Sequence, residues 1–163
     1  MEFAEFFEQT EPRLVRLCFL TTLDREAAAD AAQEALSRAW RDWPRIGTDS
    51  SDPTAWTTTV ALNLCRNRWR RIASQARLVP RTYGVDRRSD ELPDVDLRQA
   101  LRRLPARQRE AVVLYYWADL GVDACATAMG VTPGAVKQHL SRARRRLAAE
   151  LGEPDLELEV ESP

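Results

Sequence analysis

Lys137, Gln138, Ser141, Arg142 and Arg145 lie close together near the C-terminal end of the chain. Intervals of three and four bring residues to one side of a helix. Cationic groups interleaved with an amide and a hydroxyl supply both phosphate contacts and hydrogen bonds to base edges. A second constellation is Asp30, Gln33 and Glu34. Two carboxylates four residues apart share one helix face, with an amide beside them. Such a face suits a partner surface rich in Arg, where charge-assisted pairs give orientation and association rate. Catalysis has no comparable candidates. His139 is the lone His, Cys18, Cys65 and Cys125 are dispersed, and there is no Gly-rich phosphate loop. The reading is a protein that is not an enzyme, with no cofactor, no metal site and no small-molecule substrate.

The basic group must be carried by a helix, and its surroundings specify which kind. Leu104 to Leu147 contains two short helical patterns that meet at a turn around Gly130. That is the layout of a helix-turn-helix, whose second helix lies in the DNA major groove. Thr132 can cap that second helix, with Pro133 at its first position, where a missing N–H costs nothing. Val136, Leu140, Ala143 and Leu147 then form the buried stripe, which leaves the five polar residues facing outward. His139 falls at the stripe's edge, open to either core packing or a phosphate contact.

The N-terminal part reads as a small all-helical unit. Phe3, Phe6, Phe7, Leu14 and Leu17 suggest a first helix, which Pro12 would break or bend. A second helix opens near Asp24 and stops at Pro44, with Ala28, Ala32, Leu36, Trp40 and Trp43 facing a core. Residues 45–52 are a polar loop. Asp52 or Ser51 caps a third helix whose buried stripe is Trp56, Val60 and Leu64. The stretch 74–95 carries Pro80, Gly84 and Pro93 without lasting periodicity and reads as a flexible linker. Helical patterning resumes at Asp96, and residues 152–163 form an acidic tail. The expected fold is all-α, two small helical domains at 1–73 and 96–151, with no β alternation anywhere.

The 163 residues carry a net charge of only −1, which conceals strong segregation. From Arg66 to Arg88 there are eight Arg and one Asp, whereas residues 1–34 carry eight acids against three Arg. Such asymmetry points to separate surfaces for separate partners, one of them polyanionic. An odd, scattered set of three Cys fits reduced core thiols in a cytosolic protein. Neither a signal peptide nor a membrane-spanning run is present, so a cytoplasmic location is expected.

Three blocks together resemble the extracytoplasmic-function, or group IV, class of bacterial RNA polymerase sigma factors. DAAQEALSRAW (Asp30 to Trp40) resembles the family's acidic helix that grips the polymerase. PTAWTTTVALNLCRNRWRR (Pro53 to Arg71) is similar to its promoter-melting and −10 recognition helix. The Leu104 to Leu147 segment resembles its −35 reader. The resemblance covers nearly the whole chain in order, and it implies sigma region 2 over 1–73 and region 4 over 96–151. GVDACATAMG departs from the pattern, because Ala124 and Cys125 make the core of the first motif helix smaller.

On this resemblance Asp30, Gln33 and Glu34 meet the clamp helices of the polymerase largest subunit. Asn63, Arg66, Asn67 and Arg70 make a polar stripe for single-stranded DNA, which needs a cationic track and groups that meet exposed bases. Asn63 and the loop 45–52 would hold a −10 base flipped out of the duplex. Trp56 fits the family's PxAW pattern but reads first as a core residue, and Trp69 reads as a base-stacking or a rim residue. Lys137, Gln138, Ser141, Arg142 and Arg145 would contact the −35 element. The implied partners are core RNA polymerase, promoter DNA and an anti-sigma factor. Two other readings stay open at this point. One is a helix-turn-helix regulator that binds duplex DNA alone, and the other is a polymerase-binding adaptor that never opens DNA.

Overall fold

The computed structural model describes residues 2–48, 52–76 and 95–151, without the side chains of 69–76 and 95. The linker proper, the tail, and the side chains of Trp69 and Arg70 therefore lie outside the described residues. The described chain forms eight α-helices and no strand, an all-α fold. They are α1 (Phe3–Thr22), α2 (Arg25–Arg41), α3 (Trp43–Ile46), α4 (Pro53–Ala76), α5 (Val95–Arg103), α6 (Ala106–Val112), α7 (Val122–Met129) and α8 (Pro133–Leu151). One π-helical turn, Val113–Trp117, continues α6.

Helices α1, α2 and α4 pack on one another around Phe6, Leu14, Leu17, Ala28, Ala32, Leu36, Ala61 and Leu62. The Ala-rich inner face of α2 removes side-chain bulk, so its neighbours approach closely. Side-chain caps start the helices where short polar residues precede them. Asp24 Oδ1 accepts from the Ala27 N–H at 2.9 Å, and Asp52 Oδ1 from Ala55 at 2.9 Å. Each satisfies a donor that a helix start otherwise leaves open.

Four expectations need correction here. Pro12 sits inside an unbroken α1. Pro44 does not end the helical path but lies in the first turn of the short α3, where its fixed φ and missing N–H are tolerated. Trp40 faces away from the core, 61% exposed, and it packs only edge-on against Phe3. The deepest stripe of α4 is Thr57, Ala61 and Cys65, one position along from the expected one. Trp56, Val60 and Leu64 flank it, partly buried.

The second half assembles α5, α6, α7 and α8 around Leu101, Leu104, Leu114, Met129, Val136 and Leu140. Thr132 Oγ1 accepts from the Ala135 N–H at 3.2 Å, and Pro133 begins α8. Val136, Leu140 and Ala143 are buried and Leu147 partly so. In α7, Cys125 belongs to the core, whereas Ala124 is exposed and takes no part in it. The two halves are in contact: α4 packs on α7, and α1 on the π turn and α6.

Candidate nucleic-acid interface

The helix-turn-helix is set by α7, Gly130 and α8. Gly130 ends α7 at φ 64°, a left-handed conformation that turns the chain toward α8 without a Cβ penalty. The buried stripe of α8 then fixes its rotation. Lys137, Gln138, Ser141, Arg142 and Arg145 are all exposed on the opposite side. His139 is partly buried. Desolvation first, then Arg107 and Arg142, hold its pKa below the ordinary His value against the opposing pull of Glu110. A neutral imidazole in that position suits packing more than a phosphate contact.

On α4 the polar stripe divides. Asn63 and Asn67 are exposed, but the Arg66 side chain is only 16% exposed and turns into the other half of the molecule. Its Nε and one terminal nitrogen donate to Glu110 Oε1 at 2.8 and 2.5 Å. It also donates to the Ala128 carbonyl and to Asn63 Oδ1, each at 2.6 Å. Trp56 lines an open groove of about 470 Å³ between α2 and α4, together with Glu34, Arg38, Arg41, Asp42 and Val60. The Arg45 guanidinium stands 5.9 Å from the Trp56 ring centroid.

Along α2, Asp30 and Gln33 are exposed and Glu34 is partly so. Asp30 pairs with Arg68 of α4 at 3.1 Å, and Glu34 with Arg38 at 2.7 Å. The Arg38 hydrogen bond holds the Glu34 carboxyl below its ordinary pKa. Exposed pairs of this kind contribute little to stability, so both carboxylates can be re-engaged by a partner at little cost. Trp40 belongs to the same exposed row as Asp30 and Gln33. Its distance of seven residues from Gln33 was the available signal, obscured because a Trp in a helix usually reads as core.

Glu110 and Arg109 were not singled out in the sequence. Arg109 is 2% exposed and donates to the Thr21 carbonyl at 2.8 Å and the Leu101 carbonyl at 3.2 Å. These carbonyls lie in the last turns of α1 and α5, where unpaired acceptors and the helix dipole favour a cation. Burial still pulls its pKa down to about 10, with Arg102 adding to the shift.

Residues 6–75 match the family model for sigma-70 region 2, and residues 94–147 match that for sigma-70, region 4. These models define an RNA polymerase sigma factor built from regions 2 and 4. The chain is 34% identical to the ECF RNA polymerase sigma factor SigM of Mycobacterium tuberculosis over 152 residues, 92% of this chain and 77% of that protein. It is 30% identical to the RNA polymerase sigma-E factor of Streptomyces coelicolor over 162 residues, 96% of this chain and 90% of that one. Among solved structures, the sigma factor RpoE of Bartonella quintana, in complex with the anti-sigma factor NepR, superposes with a TM-score of 0.76. It is 25% identical and covers 92% of this chain and 96% of its own. The chain belongs to the extracytoplasmic-function sigma factors, which direct RNA polymerase to promoters.

Proposed function

We propose that this chain is a group IV sigma factor in which α2 binds core polymerase, α4 holds the −10 strand and α8 reads the −35 element. The observation that carries the reading is the row Lys137, Gln138, Ser141, Arg142 and Arg145, exposed on a capped helix whose other side is core. On α2, Asp30, Gln33 and Glu34 meet the polymerase clamp helices, and Trp40 extends that row with an apolar anchor. On α4, Asn63, Asn67, Arg66 and Arg70 hold the unpaired strand, with Trp56 and Trp69 offering rings to bases. Region 2 then spans 1–73 and region 4 spans 96–151, with 74–95 as linker and 152–163 as tail. The polymerase supplies the chemistry, so the chain acts in the cytoplasm without catalysing a reaction. An anti-sigma factor is a further partner, supported by the NepR-bound relative.

Run-off transcription with bacterial core polymerase on genomic promoter fragments tests this. Transcripts that depend on the chain and on particular promoters are expected. Core binding without transcripts would replace the reading with the adaptor. Tight duplex binding without any core binding would replace it with a lone regulator.

A further inference from the structure

Arg66 cannot serve a DNA strand in the arrangement described above. Four of its five N–H groups are engaged, by Glu110, Ala128 and Asn63. Glu110 is itself only 3% exposed and takes a second guanidinium, Arg107, at 3.1 Å. The same seam is closed by Arg109 on the Thr21 carbonyl and by Arg16 stacked 4.3 Å above the Trp117 ring. Every one of these contacts except Arg66–Asn63, Arg107–Glu110 and Arg109–Leu101 joins the α1–α4 half to the α5–α8 half.

Promoter geometry is incompatible with this seam. Elements centred near −10 and −35 lie about 25 base pairs apart, roughly 85 Å along the helix axis at 3.4 Å per base pair. Helices α4 and α7 are in hydrogen-bond contact, so both elements cannot be read until the halves separate.

We propose that Glu110 occupies the Arg66 anion site in place of a DNA phosphate, so that closure of the chain and binding of the −10 strand exclude each other. This rests on the reading of Arg66 as a strand contact. Like a phosphate oxygen, Glu110 Oε1 is an anionic acceptor that takes two guanidinium N–H groups at once. Because the pair is desolvated, removing Glu110 leaves the Arg66 charge uncompensated. Removing Arg66 takes away its bonds to Glu110 and to the Ala128 carbonyl and leaves Glu110 with Arg107 alone, so the seam should open in either case. While it is closed, apparent strand affinity is reduced by the fraction of molecules that are open.

The test compares the full wild-type chain with Glu110→Gln and Arg66→Gln. Small-angle scattering reads compactness, circular dichroism reads helix content, and anisotropy reads binding of a labelled single-stranded −10 oligonucleotide. Helix content should stay equal, while both variants expand beyond the radius of about 15 Å typical of a compact chain this long. Glu110→Gln should bind the strand about tenfold tighter, the gain when the open fraction rises from about a tenth to nearly one. Arg66→Gln should be expanded yet bind no tighter, since it lacks the cation. Unchanged radii in both variants would overturn the proposal. Expansion of Glu110→Gln without tighter binding would overturn the competition while leaving promoter-dependent transcription by the wild type intact. If Glu110→Gln loses helix content, saturating oligonucleotide must expand the wild-type chain, and an unchanged radius there would equally overturn it.

Discussion

On the proposed reading, Asn63 and Arg142 separate the two DNA functions at single side chains. Asn63 is exposed, and its Oδ1 accepts from Arg66, so truncation removes a polar group without opening the core. Asn63→Ala should therefore lower open-complex formation, read by permanganate reactivity of unpaired thymines, and leave core-polymerase affinity unchanged. Equal loss of both would place Asn63 in the fold or the polymerase contact instead. Arg142 lies on the outer side of α8, away from Val136 and Leu140. If it reads guanine bidentately, Arg142→Ala costs about 1–3 kcal/mol on the cognate −35 sequence and flattens the ranking of −35 variants. A uniform loss over all variants would instead assign it to a phosphate.

At the scale of the elements, the turn between α7 and α8 depends on Gly130. A Cβ there meets no atom within 4 Å, so the whole effect of substitution is backbone strain at φ 64°. Gly130→Ala should cost about 1–2 kcal/mol in denaturant unfolding, with helix content retained. Core thiols give a second expectation. Burial pushes Cys125 up to about 11 from an ordinary value of 9.0, and Cys18 is raised by its hydrogen bond with Cys65 and by burial. The folded state therefore holds these protons more tightly than the unfolded state. The corresponding stability is complete below pH 9 and is lost as pH rises toward 11. Arg109, lowered to about 10, acts with the opposite sign only above that value. Denaturation midpoints should thus fall between pH 9 and 10, and less steeply in Cys125→Ala; an identical slope would refute the assignment. The helix starts at Asp24, Asp52 and Thr132 were legible because capping is local chemistry. The α4 stripe was read one position off because Trp56, Val60 and Leu64 are more apolar than Thr57, Ala61 and Cys65. Small side chains win the deepest positions where α4 must approach the Ala-rich face of α2. Arg109 and Glu110 were illegible for the opposite reason. Charged residues in a sequence read as surface, and only partners that the fold brings up make their burial tolerable. These are the Thr21 and Leu101 carbonyls for Arg109 and the Arg66 and Arg107 guanidiniums for Glu110.

For the whole molecule, the proposed opening of the seam between the halves would make polymerase and promoter partners in one equilibrium. A ligand that favours the open chain shifts the population by its differential affinity for the two states, and the coupling is reciprocal. If core polymerase and promoter both require separated halves, each should strengthen binding of the other to this chain. Cys18, Cys65 and Cys125 are all buried, so cysteines introduced at the exposed positions Glu26 and Arg146 can be labelled selectively with a fluorescent pair. Energy transfer should be highest in the free chain, fall when core polymerase is added, and fall further in the promoter complex. In Glu110→Gln the free chain should already show reduced transfer, and polymerase should bind it more tightly because less work remains to open it. Undiminished transfer in a complex that transcribes would mean that the halves stay together on DNA. That outcome would require the −10 and −35 contacts to come from two different copies of the chain, because one closed copy spans too little of the roughly 85 Å between the elements.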